Sequence, residues 1–100
     1  MSLSRFGFIV TGAGLQPGLH CSVLCSPQFE MFTVGVSNPA DGPAAARMLL
    51  NEGVQLIELC GGFGPLGTAS VLAEVDGAVP VGSVAYGPES IDAMHRLFAD

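Results

Sequence analysis

Between Met31 and Ser37 bulky and small side chains alternate. Phe32, Val34 and Val36 would face one way, and Thr33, Gly35 and Ser37 the other. This predicts a strand with one heavy and one light face. Asn38 follows as a helix cap, Pro39 as the first helical residue, and Ala44 to Leu50 as strong helix formers closed by Gly53. Val54 to Cys60 is apolar on both faces, the pattern of a central strand in a parallel sheet. After the loop Gly61-Gly62-Phe63-Gly64, Pro65 opens a second helix carrying Leu66, Ala69, Leu72 and Ala73, which stops at Asp76-Gly77. Val79 to Tyr86 reads as a further strand. Pro88 then opens a last helix with Ile91, Met94 and Phe98 at helical spacing.

Upstream, Arg5 to Val10 reads as the first strand, broken by Gly12, Gly14, Pro17 and Gly18. The stretch Leu15 to Gln28 has no clear period; His20 to Cys25 fits a short strand or one helical turn. From residue 31 onward the order is strand then helix, three times, each helix starting at a proline. Such units give parallel strands with right-handed crossovers. The expectation is a single α/β layer domain over residues 1–100, with about four mostly parallel strands and three helices. A half-barrel, two copies of which would close a ring, requires the Leu15 to Pro27 segment to be helical, against which Pro17 and Pro27 argue.

Composition narrows the functions. Hydrophobic residues make up 49% of the chain and charged ones 12%, so a disordered or coiled-coil chain is excluded. Lysine is absent, the cations are Arg5, Arg47 and Arg96, and the formal net charge is -6. No cluster can displace counterions from phosphates, which argues against nucleic acid, and an anionic membrane surface is disfavoured for the same reason. A Schiff-base mechanism and a Walker lysine are ruled out. No apolar run reaches the roughly 18 residues of a membrane span, and no signal-peptide pattern opens the chain. Met1-Ser2-Leu3 is set aside as a possible expression scar. Cys21, Cys25 and Cys60 are odd in number, which together with the missing export signal implies reduced thiols and a cytoplasmic setting. So few charges leave apolar surface to be covered, which implies a homo-oligomer, most simply a dimer.

In parallel α/β sheets ligands bind beyond the carboxyl ends of the strands. Three loops should open there: Ser37-Asn38-Pro39, Gly61 to Pro65, and Tyr86-Gly87-Pro88. The expected ligand-binding residues are therefore Ser37, Asn38, Gly61, Gly62, Phe63, Gly64, Tyr86 and Gly87. Glycines let amides converge on one concavity, and the helix start adds partial positive charge, so a small anion can be held without lysine. The plainer alternative is a tight turn packed under Phe63.

Cys60, at a strand end beside a helix start, is a candidate nucleophile; a small buried hydrophobe is the alternative. Glu58 interrupts the most apolar strand. If buried it suits general acid–base work, or it serves as a structural partner for an arginine or as an interface carboxylate. Glu89 reads as a first-turn carboxylate favoured by the helix dipole. Gly12-Ala13-Gly14 falls short of a dinucleotide fingerprint, since Gly18 comes one position late. His20, Cys21 and Cys25 match no closed zinc spacing, so no metal or cofactor is expected, and His95 reads as helix packing.

The run Gly53-Val54-Gln55-Leu56-Ile57-Glu58-Leu59-Cys60-Gly61-Gly62-Phe63-Gly64-Pro65 resembles a group of small microbial α/β proteins catalogued as a domain of unknown function. Val34-Gly35-Val36-Ser37 and Tyr86-Gly87-Pro88-Glu89-Ser90 are similar to the same family, and the likeness extends from Phe6 over nearly the whole chain. It implies a small single domain with a site near these motifs and assigns no catalytic residue. Two functions follow as expectations: a binder of a small anionic metabolite, or a non-catalytic oligomeric scaffold or regulatory module.

Overall fold

The computed structural model describes residues 2–99, within which the chain forms a five-stranded sheet and three α-helices. Along the chain come β1 (Arg5–Thr11), β2 (Cys21–Ser26), β3 (Phe29–Val36), α1 (Gly42–Asn51), β4 (Leu56–Leu59), α2 (Gly64–Val75), β5 (Val81–Ser83) and α3 (Ile91–Leu97). The spatial order is β2-β3-β1-β4-β5. β1 runs parallel to β3 and β4, β4 runs parallel to β5, and β2 alone is antiparallel, against β3. The mostly parallel α/β class is the one the strand–helix rhythm predicts.

The fifth strand is β2, in the segment without a clear period. All six of its residues are exposed, so nothing forces its side chains to alternate between apolar and polar. A tight turn through Pro27 and Gln28 joins it to β3, with the Gln28 N–H donating to Ser26 Oγ at 3.2 Å. Because this segment is a strand, the half-barrel arrangement does not form.

The helices cover one face. The crossovers from β3 to β4 and from β4 to β5 advance in the same direction across the sheet, and equal handedness then puts α1 and α2 on the same side. Ile9, Val34, Val36, Ile57 and Leu59 point into that layer and meet Ala45, Ala46, Leu49, Val71 and Val75. Phe32 packs against this cluster too, so the alternation of β3 has its heavy side on the core. Gly42 lets α1 approach closely, because a Cβ there would lie 2.6 Å from the Phe63 ring and 2.9 Å from Val71. Gly53 ends the α1 segment at φ 77°, as its sequence position predicts.

The other face is left largely bare for a topological reason. The connection from β1 to β3 moves in the opposite direction, and a helix there would cover this second face. Here that connection is the antiparallel strand β2 instead. Register aligns Leu24, Met31, Phe6 and Leu56 in one row across the sheet, and Ser22, Thr33, Phe8, Glu58 and Gly82 in the next. Leu15 folds over Gly12 and Gly35 at one end.

The amino end of β1 is fixed by polar links. Gln55 Oε1 accepts from the Ser4 and Arg5 amides at 2.8 and 2.9 Å. Arg5 pairs with Glu30 at 2.6 Å, donates to the Glu52 carbonyl, and lies 4.8 Å from the Phe32 ring centre.

Candidate functional site

β1, β3, β4 and β5 are parallel, so their carboxyl ends lie along one edge. The chain leaves β1 toward β3 and leaves β4 toward β5, in opposite directions. The crevice between the ends of β1 and β4 is therefore a topological switch point, the place where open α/β sheets bind ligands. A cavity of about 340 Å³ lies there, lined by Val10, Thr11, Cys60, Gly61, Gly62, Tyr86, Met94 and Phe98.

Its polar end is built on the turn after β4. Gly61–Phe63 forms a single 3-10 turn that runs directly into α2, with Gly64 at φ 63° between them. Helix starts leave amides without intrahelical acceptors and carry partial positive charge. Cys60 sits just before this turn. Its sulfur lies 3.2 Å from both the Thr11 amide and Thr11 Oγ1. Burial raises the Cys60 thiol pKa, but the Thr11 hydroxyl and the amides of Thr11, Gly62 and Cys60 favour the thiolate more. Together they bring it below the ordinary value of 9.0. Gly62 is required at this spot, because a Cβ there would collide with Thr11 Oγ1.

The apolar end is formed by Val10, by Met94 of α3 and by Phe98, which caps that helix. Tyr86 lies over Gly61, close enough that a Cβ on Gly61 would sit 2.8 Å from its ring. A further hollow of about 360 Å³ continues past Tyr86 along Gly64, Pro65, Ser83, Val84 and Ala85.

The structure brings together Cys60, Gly61, Gly62, Gly64 and Tyr86 from the residues expected at the site. It separates the others. Phe63 points the opposite way, into the core between α1 and α2, where it is 4% exposed. Its side chain packs the turn from beneath and does not line either hollow. Ser37 and Asn38 occupy the same edge one strand beyond β1; Asn38 Oδ1 accepts the Ala40 amide at 2.9 Å and caps the turn into α1. Gly87 adjoins the Glu89 carboxylate outside the cavity.

Glu58 is exposed rather than buried, on the bare face beside Leu56 and Gly82, one residue pair back from the rim. Arg5 goes to Glu30 and Arg47 to Glu74, so neither is the partner of Glu58. The residues that sequence reading missed are Val10, Thr11, Met94 and Phe98. The placement of β1 beside β4 reveals the first two and the packing of α3 over the rim the last two, and the sequence carries no local signal for either.

His20 Nδ1 accepts the Gln16 amide at 2.9 Å and Cys21 donates to the Pro17 carbonyl, so both serve the loop before β2. Among the described residues no His, Cys, Asp or Glu group is placed to hold a metal, and no helix is long and apolar enough to cross a membrane.

The arrangement defines an open α/β sheet, mostly parallel and clad by helices chiefly on one side, with a crevice at its switch point. The chain belongs to a family of unknown function (DUF6506), whose model matches residues 4–99. No curated protein and no solved structure matches it.

Proposed function

We propose that the protein binds a small anionic molecule in the crevice between β1 and β4, with a carboxylate carried on an apolar body as the best-fitting class. The observation that carries this reading is the polarity of the cavity. Gly61 and Gly62 of the turn before α2 and the Thr11–Cys60 pair supply its polar lining, and Val10, Met94 and Phe98 its apolar lining. The anion would lie against the Gly61 to Gly64 turn, held by amides and the helix dipole in place of a lysine. The apolar body would displace water from the Val10 and Phe98 end. Arg5 and Arg47 are engaged elsewhere and Arg96 of α3 does not line the cavity, so the amides have to supply the positive potential.

A second reading is favoured by one observation, the hydrogen-bonded sulfur of Cys60. A thiol held toward its thiolate in the lining of a cavity is an activated nucleophile, and it would add to a carbonyl carbon bound beside the amides, the C=O π pair moving onto the oxygen as an oxyanion. Binding is common to both readings. The setting we assign is the cytoplasm, a reading supported by Cys21, Cys25 and Cys60 all being free thiols.

The test is a thermal-shift and calorimetric screen of short-chain carboxylates and inorganic phosphate, on the wild type and on Gly62→Ala. A ligand present at about 100 times its Kd stabilises by about 2.7 kcal/mol. Stabilisation of the wild type that is lost in Gly62→Ala supports the site. A screen in which no probe raises the melting temperature rejects it.

A further inference from the structure

The bare face of the sheet is unusual for a chain of this size. The molecule exposes 6256 Å². A folded monomer of 10.2 kDa is expected to expose about 5,300 Å². The excess, about 950 Å², is of the order of the roughly 800 Å² that each partner buries in a standard stable interface. The radius of gyration agrees: 14.0 Å, against about 13 Å for a compact domain of 100 residues.

Much of the exposed apolar surface lies on this side of the molecule, with Leu66 and Leu72 of α2 exposed elsewhere. α3 and its capping residue present Ile91, Leu97 and Phe98 to solvent at 64%, 70% and 73% exposure, and Leu24 on the same side of the sheet is 65% exposed. Phe6, Phe8, Val10, Met31 and Leu56 are only part-buried on the bare face. Met94 and Phe98 share a cavity with Val10, so the apolar stripe of α3 and the upper part of this face border one another.

We infer that this face, together with the apolar stripe of α3, is the interface of a homodimer, and that the second copy forms the outer wall of the crevice. Charge selects the occupant. The chain carries -6 overall, yet Glu58 is the one charged side chain in the strand rows of this face. Two like-charged copies therefore meet across their least charged surface, and an anionic lipid surface gains nothing from it. Area selects it too, because the surplus per chain matches one side of a two-fold contact. The consequence for the site follows from position. Val10, Met94 and Phe98 are both the apolar end of the crevice and the edge of the interface, so dimerisation screens that end from water. This last part rests on the ligand reading above; the dimer itself does not.

Sedimentation equilibrium of the full chain over about 1 to 100 µM tests the dimer, alongside filtered NOE spectra of a mixed isotope-labelled sample. The expected result is a mass twice that of the chain, with intermolecular NOEs among Phe6, Phe8, Val10 and Phe98. Phe8→Glu and Leu24→Lys should each raise the dissociation constant at least 100-fold. Leu24 is exposed on an edge strand, so its replacement leaves the fold standing even if Phe8→Glu does not. A folded wild-type monomer at 100 µM overturns the inference, as does a dimer that survives Leu24→Lys with NOEs confined to α1 and α2. Carboxylate affinity is measured separately on Leu24→Lys. Unchanged affinity in the monomer removes the wall while leaving the site. Absent affinity in the wild-type dimer removes the site while leaving the dimer.

Discussion

Leu56 and Ile57 are adjacent in β4, with nearly the same volume and the same backbone geometry, yet they live in different molecules' worth of environment. Ile57 is fully buried under α1 and α2. Leu56 sits half-buried on the bare face beside Phe6. The two faces of this sheet come from one stretch of apolar sequence, and only the route of the chain makes them unequal. Helical crossovers clad the first face. The second lost its helix to a hairpin strand, and its apolar residues remain available for other work. A continuous apolar strand thus reports that both faces will be covered, without saying by which chain.

The largest expected effect comes from cutting the clad face. Ile57→Ala should cost about 2–5 kcal/mol in urea unfolding, through lost transfer energy and a cavity the packed helices cannot fill. Leu56→Ala, measured at concentrations too low for association, should cost about 1 kcal/mol. Equal losses would show that both faces are buried within one chain.

Next come two glycines, one for each face. Gly42→Ala should destabilise by about 1–3 kcal/mol, since the new methyl meets the Phe63 ring and Val71. At Gly82, opposite Glu58 on the bare face, an added Cβ meets nothing within 4 Å. There Gly82→Ala should stabilise by about 0.5–1 kcal/mol by restricting the unfolded chain. Thermal unfolding of the pair checks the sign of each.

A smaller effect belongs to the rim where the two faces meet. The folded pKa of Cys60 is lowered, so its contribution to stability is fully present above the unfolded value. It is lost as pH falls through the folded value. Stability should therefore rise with pH in the alkaline window just below the ordinary thiol pKa. Thr11→Val removes the hydroxyl that favours the thiolate and should move the midpoint of Cys60 alkylation upward in pH, read peptide by peptide by mass spectrometry. An unmoved midpoint would remove Thr11 from the account of that thiol. The smallest effect is expected far from the bare face, at the surface pair Arg47–Glu74, 3.0 Å apart. Arg47→Ala should cost at most about 1 kcal/mol, less in high salt.

Much of the frame was legible in the sequence. The prolines at 39, 65 and 88 open three short helical segments, and the alternation of Phe32, Val34 and Val36 marks the core side of β3. β2 was legible only as one of two readings of His20 to Cys25, strand or helical turn, because a strand exposed on both sides carries no period. Glu58 attracted notice as a polar residue in an apolar strand, and the reason for it is the bare face on which it lies. Half of the crevice was visible as the glycine turn after Cys60. The other half, Thr11 with Val10 and the α3 side chains, depends on β4 lying next to β1 across a crossover, which is a property of the whole topology. Phe63 shows the converse, a residue inside the right loop whose side chain turns to the core.

The central claim is that a small anion lies at the switch point against the start of α2. It is tested most directly by titrating the ¹⁵N-labelled chain with a short-chain carboxylate and following its amide spectrum. The account predicts that the amides of Thr11, Gly61 and Gly62 shift first and saturate together, while those of the β2–β3 hairpin stay still. Saturable shifts centred on the hairpin, or none at any concentration, would contradict it.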